Sequence, residues 1–460
     1  MSRIVVVGDA LLDRDVLGTV ERLCPDAPAP VVEAHDVVER PGGAALAAVL
    51  AARAGATVTL VAPIGQDPAG DRLSNLLREA GITVVPWRDP AATLEKERVL
   101  VRERSIVRLD RGGGTRQLPD PPPEIGRVLA NAHAVLVSDY GRGASAAATA
   151  RGAIGAAVER GMPVVWDPHR NGACPLHGVL LVTPNTQELR HFDAAAGSEG
   201  DSPSFGLASL VSSARRMLAR WGTVGVCVTR GSEGAALVTD GGLPLVVPVD
   251  HPVTDPLDTC GAGDAFAAHC AVALASGAIM SDSVQSGVQH AAEYVLVGGA
   301  LGLMQPRHRP VSEARRDHCG ATAKRVATGG CFDLLHAGHV AMLERARQLG
   351  DHLVVLLNSD DSVRRLKGRG RPIQAASDRA AVLRSLACVD DVVVFDEDTP
   401  IEALRSLRPH VFVKGGDYAS ATLPEVPVLA EWGGVVVTVP YLAGRSTSCI
   451  VEQIESAHVV

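Results

Sequence analysis

Short apolar, β-branched runs recur along this chain, and each stops at a polar or glycine-rich turn. Residues 4–7 run into Gly8-Asp9, 134–137 into Ser138-Asp139-Tyr140, 164–166 into Asp167-Pro168, 180–182 into Thr183-Pro184-Asn185, and 224–228 into Thr229-Arg230-Gly231. A further run covers 58–62, and helical patterns fill the intervals over 46–54, 67–80, 144–160 and 207–220. Continuous buried strands alternating with helices specify a parallel sheet covered on both faces. Such sheets bind ligands beyond the carboxyl ends of their strands, so the polar turns are where chemistry is expected.

The alternation restarts after residue 324, with strands expected over 325–328, 353–357, 391–395, 411–413 and 434–439. Between the two series the composition turns polar and proline-punctuated, as in Gln305-Pro306-Arg307-His308-Arg309-Pro310. The expected organisation is one domain over 1–305, a linker over 306–323 and a smaller domain over 324–460. A chain of 460 residues has room for this. One stretch breaks the pattern: polar and apolar residues alternate over 93–109, which suits exposed antiparallel strands acting as a lid or a dimer surface.

Composition excludes several classes. Aromatics are only 3%, so Ala, Val and Leu must fill the cores. A net charge of -8 argues against general nucleic-acid binding. Nine cysteines without a C-x-x-C pair read as reduced thiols, hence a cytoplasmic protein. The start reads as a strand rather than a signal peptide, and no apolar run reaches the ~20 residues that span a bilayer.

Three turns of the larger domain carry candidate chemistry. Asp9 and Asp13 follow the first strand and suit hydrogen bonds from sugar hydroxyls, although a helix cap or a solvated loop is an equally simple origin. Gly42 and Gly43 open an Ala-rich helix and let backbone approach a ligand closely. Gly261, Ala262 and Gly263 start another helix, whose N–H groups and dipole suit a transferring phosphoryl group. Asp264 beside them can serve as the base that an alcohol nucleophile needs at neutral pH.

The smaller domain poses a different problem. In Thr328-Gly329-Gly330-Cys331-Phe332-Asp333-Leu334-Leu335-His336-Ala337-Gly338-His339, glycines and two histidines sit at a strand-to-helix turn that suits an anion. A phosphate nucleophile is already ionised and needs cations and N–H donors rather than a base. His336, His339, Lys367, Lys414 and Arg445 can supply these, with Ser446 and Thr447 at the last helix start.

These stretches carry family resemblances. The T-x-G-x-F-D-x-x-H-x-G-H run resembles the signature of cytidylyltransferase-like nucleotidyltransferases, which brings Thr328, Gly330 and Phe332 into the nucleotide site. The D-T-x-G-A-G-D-x-F run over 258–266 resembles the catalytic signature of ribokinase-type sugar kinases. That resemblance implies that Asn185 and Glu188 organise Mg²⁺ through water, and that Thr229 to Gly231 lead to the ATP site. It also leaves room for a monovalent cation. The implied fold is α/β: a ribokinase-like doubly wound sheet domain, then a smaller Rossmann-like nucleotidyltransferase domain.

Along nearly its whole length the chain is similar to the bifunctional heptose 7-phosphate kinases / heptose 1-phosphate adenylyltransferases of ADP-heptose synthesis. The stretches that match include residues 25–32 (PDAPAPVV), Arg365-Leu366-Lys367-Gly368 and Val413-Lys414-Gly415-Gly416-Asp417-Tyr418. The resemblance implies ATP as substrate of both domains and sugar phosphates as partners. It further implies a separate phosphatase between the steps, a homodimer, and Lys96, Arg98 or Arg108 at the 7-phosphate. Three residues depart from the family pattern: Leu46 and Cys449 where Asn is expected, and Cys260 where Thr is common. They keep two alternatives open, a kinase/nucleotidyltransferase for another sugar phosphate or base, and a nucleotide-sensing protein with one degenerate domain.

Overall fold

The computed structural model describes residues 1–101, 104–112, 118–197, 206–250, 259–302, 324–368, 370–415 and 423–440. The expected linker, the last helix start with Arg445, Ser446 and Thr447, and Cys449 lie outside the described residues. The chain divides into two compact units, Met1–Gly200 with Arg216–Thr229 and His251–Ser312, and Asp201–Arg215 with Arg230–Asp250 and Glu313–Val460.

The first unit is built on parallel strands in the order Thr83–Asp89, Thr57–Gly65, Arg3–Gly8, Ala134–Ser138, Val164–Asp167, Leu181–Val182 and Gly225–Thr229. The strand order reverses between Arg3–Gly8 and Ala134–Ser138, so a ligand crevice is expected beyond Gly8 and Ser138. The helix Ala44–Arg53 packs on this sheet with Ala44, Ala45, Ala47, Ala48 and Ala51 fully buried. Such small side chains let helix and sheet close up without aromatics. Local signals agree with the elements: Asp67 caps Pro68–Glu79 by accepting from Gly70 N at 2.9 Å, with Pro68 at the first helical position.

A second, four-stranded sheet contains Pro30–Gly43, Ala10–Leu23, Glu95–Val101 and Arg104–Arg111, in that order. The last two strands pair antiparallel, as the alternation over 93–109 suggested. The first two were not expected: each runs for 14 residues where the sequence suggested turns. Their outer halves are mostly exposed, so no buried face imposes a period on the sequence.

In the second unit, the five parallel strands of residues 325–439 run Asp391–Phe395, His352–Asn358, Arg325–Gly330, Val411–Gly415 and Val435–Val439. Numbered by sequence, this is the order 3-2-1-4-5 of a Rossmann-like sheet, with its switch point between Arg325–Gly330 and Val411–Gly415. The hairpin Ala235–Thr239/Leu245–Val247 joins this unit because Leu245 pairs with Thr438. Among the described residues no helix is long and apolar enough to cross a membrane.

Candidate active sites

The switch point of the first unit holds a carboxylate under tension. Asp264 lies in the first turn of Ala262–Ala275, whose cap Gly261 has φ +85°. Its Oδ2 accepts from Tyr140 Oη at 2.7 Å, and Oδ1 is buried without a hydrogen bond of ordinary geometry among the described residues. Burial pushes its pKa up to about 7, against the opposing hydrogen bond from Tyr140 and the charge of Lys96. A carboxylate poised there accepts a proton from an alcohol near neutrality, and the glycine turn beside it offers N–H groups to the phosphoryl oxygens.

Asp13 faces the same region from the lid sheet. It is 2% exposed, and Oδ1 takes no hydrogen bond among the described residues. Its Oδ2 lies 3.6 Å from Arg40 and 3.7 Å from Arg98. A Cβ on Gly42 would meet Leu11 Cδ1 at 2.3 Å and Asp13 Oδ1 at 2.8 Å, so only glycine fits beside that carboxylate. Gly43, at φ +58°, turns the chain into the helix. Asp9 differs: Tyr140 N, Arg142 N and Ala144 N all donate to it at 2.9–3.0 Å, which commits it to holding the 140–144 loop.

Arg98 is enclosed, with Asp13, Asp15 and Cys260 Sγ around its guanidinium, the last at 2.7 Å. Lys96 Nζ stands 5.5 Å from the Tyr140 ring centroid. Arg108 pairs with Asp110 at 2.7 Å. Asn185 and Glu188 form a reciprocal capping box at the start of Thr186–Ala195. Burial raises the pKa of Glu188, and the nearby charge of Asp139 adds to it. Thr229 contributes its carbonyl to Thr186 Oγ1 at 3.2 Å. In the second unit, Gly231 opens the short turn Gly231–Glu233 at φ +60°.

The second unit encloses a cavity of about 390 Å³ at its switch point, lined by Gly330, Phe332, Gly338, His339, Lys367 and Arg371 among others. His336 caps the helix Ala337–Gln348, and the His336 and His339 rings stack at 3.9 Å between centroids. Burial, then the neighbouring His336 and Lys367, drives the His339 pKa down to about 4. It is therefore a neutral hydrogen-bonding group at pH 7; Asp333, which also lines the cavity, pairs with Arg371 at 2.7 Å and leaves Lys367 as the cation not offset by it. Phe332 holds φ +44° and packs 5.2 Å from the His339 ring.

Two expected nucleotide residues have other contacts. Thr328 is 1% exposed and donates to Val413 O at 2.9 Å, tying the switch-point strands together. Lys414 pairs with buried Glu425 at 2.9 Å. Conversely, sequence reasoning passed over an anchored arginine. Asp333 holds Arg371 at 2.7 Å and accepts from Ile373 N and Gln374 N, while fully buried Arg379 donates to the carbonyls of Cys331, Asn358 and Gln374. The basic loop around Arg371 was visible in the sequence, but its register to Asp333 was not. Tyr140 was likewise visible only as part of a strand-end motif.

A proton-accepting carboxylate beside a glycine turn in one unit, and a histidine–lysine cavity in the other, are the features of a carbohydrate kinase joined to a nucleotidyltransferase. Residues 1–306 match the pfkB family carbohydrate kinases, and 327–452 match the cytidylyltransferase-like family. The chain belongs to the bifunctional protein HldE family. It is 49% identical to the bifunctional protein HldE of Streptomyces coelicolor over 457 residues, covering 97% of this chain and 95% of that one. It is 36% identical to that of Pseudomonas aeruginosa strain LESB58, covering 98% and 97%. In fold, it is similar to Arabidopsis thaliana ribokinase complexed with ribose and ATP, with TM-score 0.52 and 21% identity over 65% of this chain and 95% of that one.

Proposed function

We propose that the chain carries out two steps of ADP-heptose synthesis. In the first, ATP phosphorylates the C1 hydroxyl of heptose 7-phosphate, with Asp264 accepting the hydroxyl proton. A separate phosphatase then removes the 7-phosphate. In the second, heptose 1-phosphate attacks the α-phosphate of ATP in the His339 cavity, and pyrophosphate leaves. The observation that carries this reading is the pairing of a carboxylate raised to about 7 in one unit with a cavity lined by neutral His339 and by Lys367 in the other. An alcohol needs the former and an ionised phosphate the latter.

Mg²⁺ suits the first site. Half-buried Asp167 and Glu188 lie near buried Asp139 and Asp264, and after desolvation their charges push the Asp167 carboxyl well above its usual range. A hard cation relieves that crowding and offsets the charge of the nucleotide phosphates. Asn185 and Glu188, joined in the capping box, are assigned to it through water. Thr229 and Gly231 are assigned to ATP, and Gly42, Gly43 and Asp13 to the sugar. In the transferase, His336, Lys367, Gly330 and Phe332 are assigned to the nucleotide, with Lys414, Arg445, Ser446 and Thr447. The protein is assigned to the cytoplasm as a homodimer through the lid sheet.

Incubation with heptose 7-phosphate and ATP, read by mass spectrometry, tests the sugar. The 1,7-bisphosphate is expected. Turnover of a hexose or pentose phosphate in its place would refute the heptose assignment. Supplying heptose 1-phosphate with ATP or CTP tests the base, and ADP-heptose is the expected product.

A further inference from the structure

The crevice of the first unit has a floor made of two loops. Asp139 binds them together: its carboxylate accepts from Gly141 N at 2.7 Å and from Ala173 N at 3.1 Å. Gly172 runs so close to it that a Cβ would meet Oδ2 at 2.2 Å. Gly141, at φ +70°, presses onto the second loop, where a Cβ would lie 2.6 Å from His169 Nδ1. Across this join the Tyr140 and His169 rings stack at 6.4 Å with 13° between their planes.

Three cations surround the join. Lys96 reaches the Tyr140 ring from the lid, Arg142 follows Gly141, and Arg170 follows His169. None of the three forms an ion pair among the described residues, whereas their neighbours Arg40, Arg98 and Arg108 are all held by carboxylates. Asn171 N donates to His169 Nδ1 at 3.2 Å, which places the ring proton on Nε2 as a free donor. Burial and then Arg170 lower the His169 pKa, Asp9 opposes them, and Arg142 and Lys96 lower it further, so the three cations and Asp9 bear on one spot. The Tyr140 hydroxyl joins this spot to Asp264. Unpaired guanidinium and ammonium groups with a convergent N–H donor, beside a ligand crevice, are the chemistry of phosphate recognition.

We infer that Lys96, Arg142, Arg170 and His169 Nε2 form a phosphomonoester subsite that selects sugars already phosphorylated at the end remote from Asp264. This rests on the reading that the kinase substrate is a sugar phosphate. Lys96 was anticipated by resemblance; the other three arise from the geometry.

The full chain carrying Arg142→Gln with Arg170→Gln tests it, with initial rates on heptose 7-phosphate and on the same heptose without phosphate. The ratio of the two kcat/KM values should fall by about 10², since each charge-assisted hydrogen bond is worth roughly tenfold or more. Arg142→Lys should recover most of the loss that Arg142→Gln causes alone. A wild-type ratio retained by the folded double variant would overturn the subsite while leaving the sugar-phosphate reading intact. A lysine variant as impaired as the glutamine one would overturn it too, since charge would then not be what matters. A wild-type chain that turns over only unphosphorylated sugars would end both readings.

Discussion

The two sites use the same cosubstrate yet depend on opposite effects of burial. In the first, burial raises an acid, Asp264, to about 7; in the second, it lowers a base, His339, to about 4. In both cases the low-dielectric surroundings penalise the charged form. The outcomes diverge because the nucleophiles differ. An alcohol must lose a proton, so the site keeps a carboxylate able to take one. A phosphate monoester has already lost its proton, so the site keeps a neutral imidazole and leaves the charge to Lys367. One physical device, applied to residues of opposite type, thus yields a proton acceptor in one place and an uncharged hydrogen-bonding group in the other.

Reciprocal mutations test that contrast most severely. Asp264→Asn keeps the shape and removes the base, so kinase turnover should fall by about 10²–10⁴ while nucleotidyl transfer persists. His339→Ala should lower nucleotidyl transfer by about 10²–10³ and spare the kinase. Both activities are assayed on one purified chain, so each serves as a folding control for the other. If either substitution disabled both reactions in a folded protein, two independent sites could not be maintained.

pH separates the sites more gently. A carboxyl with pKa about 7 is protonated below that value, and the protonated form cannot accept the sugar's proton. Kinase kcat/KM should therefore fall roughly tenfold per pH unit as pH drops below 7. His339, with pKa about 4, remains neutral from pH 5.5 to 8, so its ionisation adds no slope to nucleotidyl transfer there. Rate profiles of the two half-reactions over that range check the pair of statements. A kinase profile flat down to pH 5 would show that Asp264 does not titrate where its burial places it.

Much of this was legible in the sequence, for reasons that differ by region. The parallel strands were readable because both of their faces are buried, which leaves unbroken apolar runs such as Val5-Val6-Val7 and Leu353 to Leu357. The turns with Asp264 and His339 were readable because glycine and a charged group coincide at a helix start. The strands Ala10–Leu23 and Pro30–Gly43 were not, since much of their length faces solvent. Nor were Asp139, Arg371 and Arg379. Each has a partner tens of residues away, and a side chain that organises a loop looks in sequence like any surface charge. The same limit hid the divergence of Asp9 from Asp13: four residues apart, one is committed to backbone amides and the other keeps a free oxygen.

The smallest expected effect concerns Leu46, the residue that departs most from the kinase pattern. It is 4% exposed in the alanine-rich helix, and its Cδ2 would lie 2.6 Å from a Cβ built on Gly261. Leu46 therefore packs against the Gly261 turn that precedes Asp264. An asparagine there gives up apolar contact and buries an amide, at a cost of about 2–4 kcal/mol, visible as a lower Tm. Sugar kcat/KM should change by less than about tenfold, because Asp13 Oδ1 and Asp264 remain in place and one methylene-scale change in a pocket is worth little more. A rise of 10² or more in Leu46→Asn would show that the position reads the sugar directly. The leucine would then mark a kinase adapted to a different hydroxyl pattern, and the comparison between the two sites would extend from how each activates its nucleophile to which nucleophile each accepts.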